Sequence, residues 1–339
     1  MLNKLMALVS VGLFLALTSW CSEKKELPTP ESLLSRARSQ QDIWSDGTSP
    51  LILREEVRLF DLKGSPVVGD YILYWASPSR WREEIRFGDY ERIRVGTAKG
   101  YWQKSTLDYQ PHVILHLDVL LHLKGMFRVG PKETLGKVKR NKKAGTEQMC
   151  TEIKWTQGTA RIMCFDASTG VLPSVEYPKL ENQHPLEISR IEYSSFAAFG
   201  NRLVPREIRA LKGREAVAAV KVLEIAKLSE DNPALFSAPA NAEFWAQCED
   251  MREPELLERV PPRYPPMASA NREQGLISLY AVIEADGSLS HLTVTKSAAP
   301  NLDAAVVEAV RRWRYKPASC EGTPIPFQTS VEIDFSLQY

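Results

Sequence analysis

The chain has 339 residues, with 43 Lys and Arg against 42 Asp and Glu, a net charge of +1, and 44% hydrophobic and 25% charged residues. These proportions are those of a globular protein and exclude a long disordered polymer, and near-neutrality leaves no overall field to draw the chain onto nucleic acid or anionic lipid. At about 150 residues per domain, the length accommodates two folded domains.

Lys4 and the uninterrupted apolar run from Leu5 to Leu17 have the form of a secretory signal. The run is about thirteen residues long, short of the ~17–25 that a membrane-spanning helix needs. It leads to Thr18-Ser19-Trp20-Cys21, with a cysteine where a bacterial lipoprotein carries its lipid. Residues 1–21 are therefore expected to be a signal peptide, with lipidation at Cys21 and membrane anchoring by several acyl chains together. Trp20 departs from the small residue such a signal places before its cysteine, and cleavage that removes Cys21 or leaves it free is the alternative.

Residues 22–30 read as a polar tether. Glu31 to Trp44 follows as a short amphipathic helix carrying Leu33, Leu34, Ala37, Ile43 and Trp44. From Pro50 the rhythm changes to alternation, with Leu51, Leu53, Glu55, Val57 and Leu59 in phase, and glycine or proline turns recur from Lys63 to Gly100. Short strands at this spacing predict an antiparallel meander that needs a cover for its apolar face. Pro111 to Leu123 is the candidate cover, a leucine-rich segment of helical length. It holds His112, His116 and His122, the first two four apart as in zinc helices. No Glu completes a hydrolase motif there, so helix-surface histidines and no metal are expected. The basic run Lys137, Lys139, Arg140, Lys142 and Lys143 has no interleaved aromatic residue and reads as a solvated loop, without nucleic-acid binding.

Five cysteines leave one unpaired in an oxidising compartment, and lipid on Cys21 resolves the count. Cys150 and Cys164 flank a glycine turn between alternating segments and would face one another across a hairpin. Cys248 and Cys320 would form the second pair. Reduced, buried thiols or other pairings are the alternatives.

Strand-like segments continue over 188–196, 203–211 and 216–228. Three short features, Ala76-Ser77-Pro78-Ser79-Arg80-Trp81-Arg82, Asp166 to Pro173 and Val204-Pro205-Arg206-Glu207-Ile208, occur in an order that resembles the LolA, LppX and RseB group of envelope proteins over residues 31–230. The resemblance implies a half-open antiparallel barrel closed by helices, with an apolar cavity for a lipid or acyl chain. Leu53, Val57, Leu73, Trp75, Trp81 and Trp102 would line it; a filled core needs the same pattern. Residues 231–254 read as a linker.

The last eighty or so residues open on Pro261-Pro262-Arg263-Tyr264-Pro265-Pro266, whose prolines hold an extended lead-in. A short helix from Met267 to Arg272 precedes a strand, 276–284, that is largely apolar on both faces. Asp286-Gly287 predicts a tight hairpin turn into a return strand. A helix capped by Asn301 is expected next, with Asp303 in its first turn and Leu302, Ala305, Val306, Ala309, Val310 and Trp313 on one face. Arg311, Arg312 and Arg314 gather at its far end and Pro317 stops it. A final strand spans Ile325 to Leu337.

Arg263-Tyr264-Pro265, Asn301-Leu302-Asp303 and Trp313-Arg314-Tyr315-Lys316-Pro317-Ala318, in this order over residues 255–339, resemble the C-terminal domain of the TonB family. The resemblance implies an α+β module whose last strand accepts an extended segment of an outer-membrane receptor or other envelope protein. Gln328, Ser330, Glu332 and Asp334 would line the edge, with Arg263 and Tyr264 near the lead-in. Pairing with a second copy, a homodimer through this domain, is the alternative. The expected fold is thus a mostly antiparallel β half-barrel with covering helices, then a small α+β domain.

No Gly-x-Ser-x-Gly elbow, phosphate-cradling loop or metal-spaced cluster is present, so no catalytic, cofactor-binding or metal residues are assigned. The expected protein is a non-enzymatic periplasmic component of a Gram-negative-type cell envelope, in TonB-linked transport or in lipid and lipoprotein handling. An energy transducer and a structural assembly protein are the alternatives. The former would need a full membrane helix and a long proline-rich reach, and neither is seen in this sequence.

Overall fold

The computed structural model describes residues 26–45, 48–60, 66–114, 117, 126–130, 133–143, 145–155, 158–178, 188–228, 232–248 and 250–337. The expected signal peptide, Cys21, His116, His122 and most of the expected cover from Pro111 to Leu123 lie outside the described residues.

Helix α1 (Pro30–Gln41) starts where Thr29 Oγ1 accepts the Ser32 N–H at 3.2 Å, and Pro30 sits in the first turn, where a missing N–H costs nothing. Leu33, Leu34 and Ala37 are buried from it. The helix ends before Ile43 and Trp44, which belong to a turn; Trp44 meets Trp75 edge-on at 5.4 Å.

The alternating segments form β1 (Leu51–Phe60), β2 (Pro66–Ser77), β3 (Arg80–Phe87), β4 (Tyr90–Thr97) and β5 (Gly100–Ser105), and a 3-10 turn follows at His112–Ile114. Then come β6 (Thr134–Leu135), β7 (Lys139–Lys143), β8 (Thr146–Trp155), β9 (Gly158–Asp166), β10 (Ser174–Glu176) and β11 (Arg190–Ser194). The short pair β12 (Ala197–Phe199) and β13 (Arg202–Val204) precedes β14 (Glu207–Lys212), β15 (Glu215–Lys227) and β16 (Glu243–Ala246). All but β12 and β13 join one sheet in the order β16-β5-β4-β3-β2-β1-β15-β14-β11-β10-β9-β8-β6, with β7 also on β8. Every pairing is antiparallel, as the period of two predicts. The basic run expected to be a loop is mostly β7, exposed along the edge.

Register decides which side chains share a face. Leu53 stands opposite Leu73 and Ile225, and Val57 opposite Gly69 and Val220. This face carries the core, and α1 closes over it with Leu33, Leu34 and Ala37. Each fully buried Leu, Ile or Val side chain contributes roughly 1.5–3 kcal/mol. Gly96 lies opposite Trp81, and a Cβ there would come within 2.0 Å of the indole Nε1, so the ring packs directly on the glycine.

The expected linker is packed onto the first domain. Its 3-10 turn at Pro233–Phe236 lies against β3, with the Arg80 guanidinium 4.7 Å over the Phe236 ring, and β16 pairs with β5. Paired backbone and a cation on an aromatic ring hold it where Pro and Ala content predicts a loose tether.

The C-terminal module contains β17 (Glu255–Glu258), α2 (Pro266–Ala270), β18 (Gly275–Ile283), β19 (Leu289–Lys296), α3 (Pro300–Val310), β20 (Arg314–Lys316), β21 (Ala318–Cys320), β22 (Thr323–Ile325) and β23 (Phe327–Phe335). Its sheet runs β19-β18-β23, and α3 packs Leu302, Val306 and Val310 against Ile277, Leu279, Val331 and Ile333. Three local expectations change. Asn301 does not cap α3, because the helix starts one residue earlier at Pro300 with Ala299 as its cap; Asp303 instead accepts from Ser297 Oγ at 2.5 Å and the Ala298 N–H at 3.3 Å. The helix stops at Val310, since Arg314–Lys316 pairs with β17 while Trp313 Nε1 donates to the Val260 carbonyl at 2.8 Å. The hairpin loop spans 284–288, and of Asp286 and Gly287 the glycine takes the left-handed angle, φ +83°.

Candidate functional site

β23 pairs with β18 from Phe327 opposite Ile283 to Phe335 opposite Gly275. Among the described residues no strand pairs with its other side, so a row of backbone N–H and C=O groups is left open there. Val331, Ile333 and Phe335 are buried under the helices. Gln328, Ser330, Glu332 and Asp334 alternate onto the opposite face, and most of this set does not stand in open solvent as the expected edge requires. Ser330 Oγ is 3.2 Å from Ser278 Oγ, Glu332 Oε1 is 3.3 Å from His112 Nε2, and Gln328 lines a cleft; Asp334 is exposed. The reason is that the helix-free face of this sheet packs onto the first domain.

The lead-in residues divide as well. Arg263 is exposed, whereas the Tyr264 hydroxyl donates to the Glu273 carbonyl and its ring meets Phe335 edge-on at 5.2 Å. Tyr264 thus clamps the lead-in to the end of β23.

The domain contact centres on β18, whose Ser278, Tyr280 and Val282 are buried on the face away from α3. Burial pushes the Tyr280 phenol well up, reinforced by Tyr90, Tyr101 and Glu243 and opposed by Arg94. These neighbours belong to β4, β5 and β16. Beside this contact lies a cleft of about 670 Å³. Gln103, Ser105 and Tyr109 line it from the first domain, Glu243 and Trp245 from β16, and Tyr280, Glu284, His291 and Gln328 from the module. The apolar second face of residues 276–284 was the sequence signal for a covering layer. What covers it was not readable, because most of the covering residues, Tyr90, Arg94 and Tyr101 among them, are more than a hundred positions away and the rest belong to the expected linker.

Within the first domain, Leu53, Val57, Leu73 and Trp75 stand together in a packed core, and Trp81 lies against it. Trp102 does not share their face. It pairs with Val95 and hence with Arg82, on the other side of the sheet, where Phe244 packs at 5.1 Å. The one-residue difference in phase from Tyr101 explains the correction.

The same interior holds a polar group that the apolar reading missed. Arg92 Nη2 donates to Glu83 Oε1 at 2.8 Å, with the two side chains 1% and 4% exposed, and Arg92 Nη1 donates to Gln110 Oε1 at 3.1 Å. Glu55 lies fully buried nearby, opposite Tyr71, and burial raises its carboxyl well above the usual range. Glu55 in phase with Leu53 and Val57 was the visible sign of it.

Cys150 faces Cys164 across β8 and β9, and both expected disulfides, Cys150–Cys164 and Cys248–Cys320, are formed. Among the described residues no cluster of three or more His, Cys, Asp or Glu could hold a metal ion.

Residues 260–337 match the Gram-negative bacterial TonB protein C-terminal family. Over 78 residues the chain is 31% identical to Protein TonB of Xanthomonas campestris pv. campestris, an alignment covering 23% of this chain and 35% of that protein. The chain thus spans about a third of the length of the curated relatives it matches. Among solved structures, the C-terminal domain of Pseudomonas aeruginosa TonB aligns at 26% identity with a TM-score of 0.23, covering 26% of this chain and 89% of that one. A LolA superfamily protein from Nitrosomonas europaea aligns at 12% identity with a TM-score of 0.41, covering 62% of this chain and 98% of that one. The TonB-like segment begins just after β17 and contains the whole β19-β18-β23 sheet with its two helices.

Proposed function

We propose that this is a non-enzymatic cell-envelope protein whose TonB-like module binds a protein partner by adding an extended segment of it to β23. The observation that carries the reading is the open backbone edge of β23, in a segment that matches the TonB C-terminal family. In this mode main-chain hydrogen bonds supply affinity and flanking side chains selectivity. Asp334 and Arg263 are the exposed members of the expected set and would flank the partner. The partner class is an outer-membrane receptor or another envelope protein, and the setting is the periplasm, with a lipid anchor at Cys21. Among the described residues no helix is long and apolar enough to cross a membrane.

In this reading the first domain is a half-barrel under helices that takes a lipid or acyl chain. Leu53, Val57, Leu73 and Trp75 would meet such a chain after a rearrangement of the core that they now fill.

Amide hydrogen exchange of the full chain with a detergent-solubilised outer-membrane receptor tests the docking. Binding is expected to slow exchange along β23, and Asp334→Cys is expected to cross-link to a cysteine in the receptor's periplasmic segment. Receptor binding with unchanged β23 exchange sinks the reading. Lipid found by mass spectrometry in the purified protein supports the second part, and its absence from protein isolated from native membranes removes it.

A further inference from the structure

The cleft between the domains reaches β23 through Gln328 and has a chemistry of its own. Its walls are sheet faces: β18 is paired on both sides, and the β5 edge is taken by β16. β16 is itself the last strand of the large sheet, so a backbone edge borders the cleft as well, and the choice among ligand classes rests on the lining side chains.

Those side chains are aromatic rings and neutral hydrogen-bonding groups. Tyr109, Trp245 and Tyr280 contribute aromatic rings to the lining, while Gln103, Ser105 and Gln328 contribute amide and hydroxyl groups. The charges are mixed, Asp108, Glu243 and Glu284 against Lys104 and His291, so the walls present no cationic site for a phosphate or carboxylate. Two donors stand out. Trp245 Nε1 and Gln328 Nε2 are both shielded from solvent and lack a hydrogen-bond acceptor, although both residues line the cleft. A buried donor left unsatisfied is costly, and side-chain rotation toward an acceptor in the cleft removes that cost. Two N–H donors beside aromatic faces suit a ligand with apolar C–H faces and neutral oxygen acceptors. A volume of about 670 Å³ is within the range of small-molecule sites.

We propose that this cleft binds a neutral saccharide, its ring stacked on the aromatic walls and its oxygens accepting from Trp245 and Gln328. An acetamido sugar provides a carbonyl oxygen as the acceptor. Titration calorimetry of the full chain with N-acetylchitotriose tests the proposal, with acetylated trialanine amide as a neutral peptide in a parallel arm. The trisaccharide is expected to bind, and Trp245→Phe and Gln328→Met, which keep shape and remove the donors, are each expected to weaken it roughly five- to tenfold. Glu243→Gln, which replaces an exposed carboxylate placed on the cleft to accept from saccharide hydroxyls, gives a third reading should either of those variants lower the melting temperature; it too is expected to weaken binding. Three outcomes overturn the assignment: no heat with the trisaccharide at millimolar concentration, trisaccharide affinity unchanged in the folded variants, or tighter binding of the peptide that the same variants weaken.

Discussion

Glu83 and Arg92 are almost completely buried, and neither charge is tolerable in that interior without the other. Removing one partner leaves the other charge uncompensated, which costs about 3–5 kcal/mol. Arg92→Met is therefore expected to lower the unfolding free energy by that amount in urea denaturation, and the double variant Glu83→Leu with Arg92→Met to recover much of it. Asp166 is the contrasting surface carboxylate. Ser168 Oγ and the Thr169 N–H are its strongest partners, at 2.6 and 2.7 Å, and they hold its carboxyl at about 2 against an ordinary 3.8. A depressed acid stabilises the fold above its unfolded value and loses that contribution as pH falls through the folded one. Solvent screening limits the effect to about 1 kcal/mol. Asp166→Ala is expected to be less stable than the parent by that amount at neutral pH, the gap narrowing between pH 4 and pH 2; a constant gap contradicts the assignment. The turn around Asp166 was legible in the sequence as a polar glycine turn. Its clamp, Arg36 Nη2 donating to the Ser168 and Thr169 carbonyls at 3.1 and 3.0 Å, was not, because α1 is over a hundred residues away.

Elements followed their periodicity, and their ends followed tertiary partners. The period of two over 51–59 and the 3.6 period over 302–310 both became what they predict, since a buried face selects one secondary structure over the other. The end of α3 was misplaced because Trp313 continues the helical spacing, yet its ring is drawn under the Val260 carbonyl and the chain turns into β20. The turn before β19 depends on Gly287. A Cβ there would come within 1.9 Å of the Tyr315 carbonyl oxygen, at a φ of +83° that L residues avoid. Gly287→Ala is expected to destabilise the protein by about 2–4 kcal/mol in thermal or urea unfolding. Asp286→Ala, which removes the acceptor of the Ser288 N–H at an exposed turn, is expected to lower the unfolding midpoint less than Gly287→Ala in the same measurement.

At the scale of the whole molecule, the segment between the domains is tied at both ends. β16 extends the large sheet, and two residues later Cys248 is bonded to Cys320, while Arg252 and Ser319 exchange backbone hydrogen bonds at 2.9 and 3.0 Å. Together with the His112 and Glu332 contact, this fastens the TonB-like sheet against the first domain while the outer edge of β23 stays unpaired among the described residues. The disulfide closes a loop with a sequence separation of 72, for which chain entropy gives about 4 kcal/mol. Cys248→Ser with Cys320→Ser is expected to unfold at lower urea and to show a larger radius of gyration by small-angle scattering; unchanged dimensions would show that the face contact holds the domains without the bond. The sequence by itself determined the antiparallel first domain and the TonB-like module and pointed to both cysteine pairs, the first across a short turn and the second by what remained, while the structure closed the other pairings it had left open. Only the tertiary structure decided that the expected linker carries a 3-10 turn and a strand packed on the first domain, that Gln328, Ser330 and Glu332 turn toward the first domain, and that a polar cleft lies between the two. Those features depend on which faces meet, and side chains distant in sequence meet through packing that no local pattern encodes.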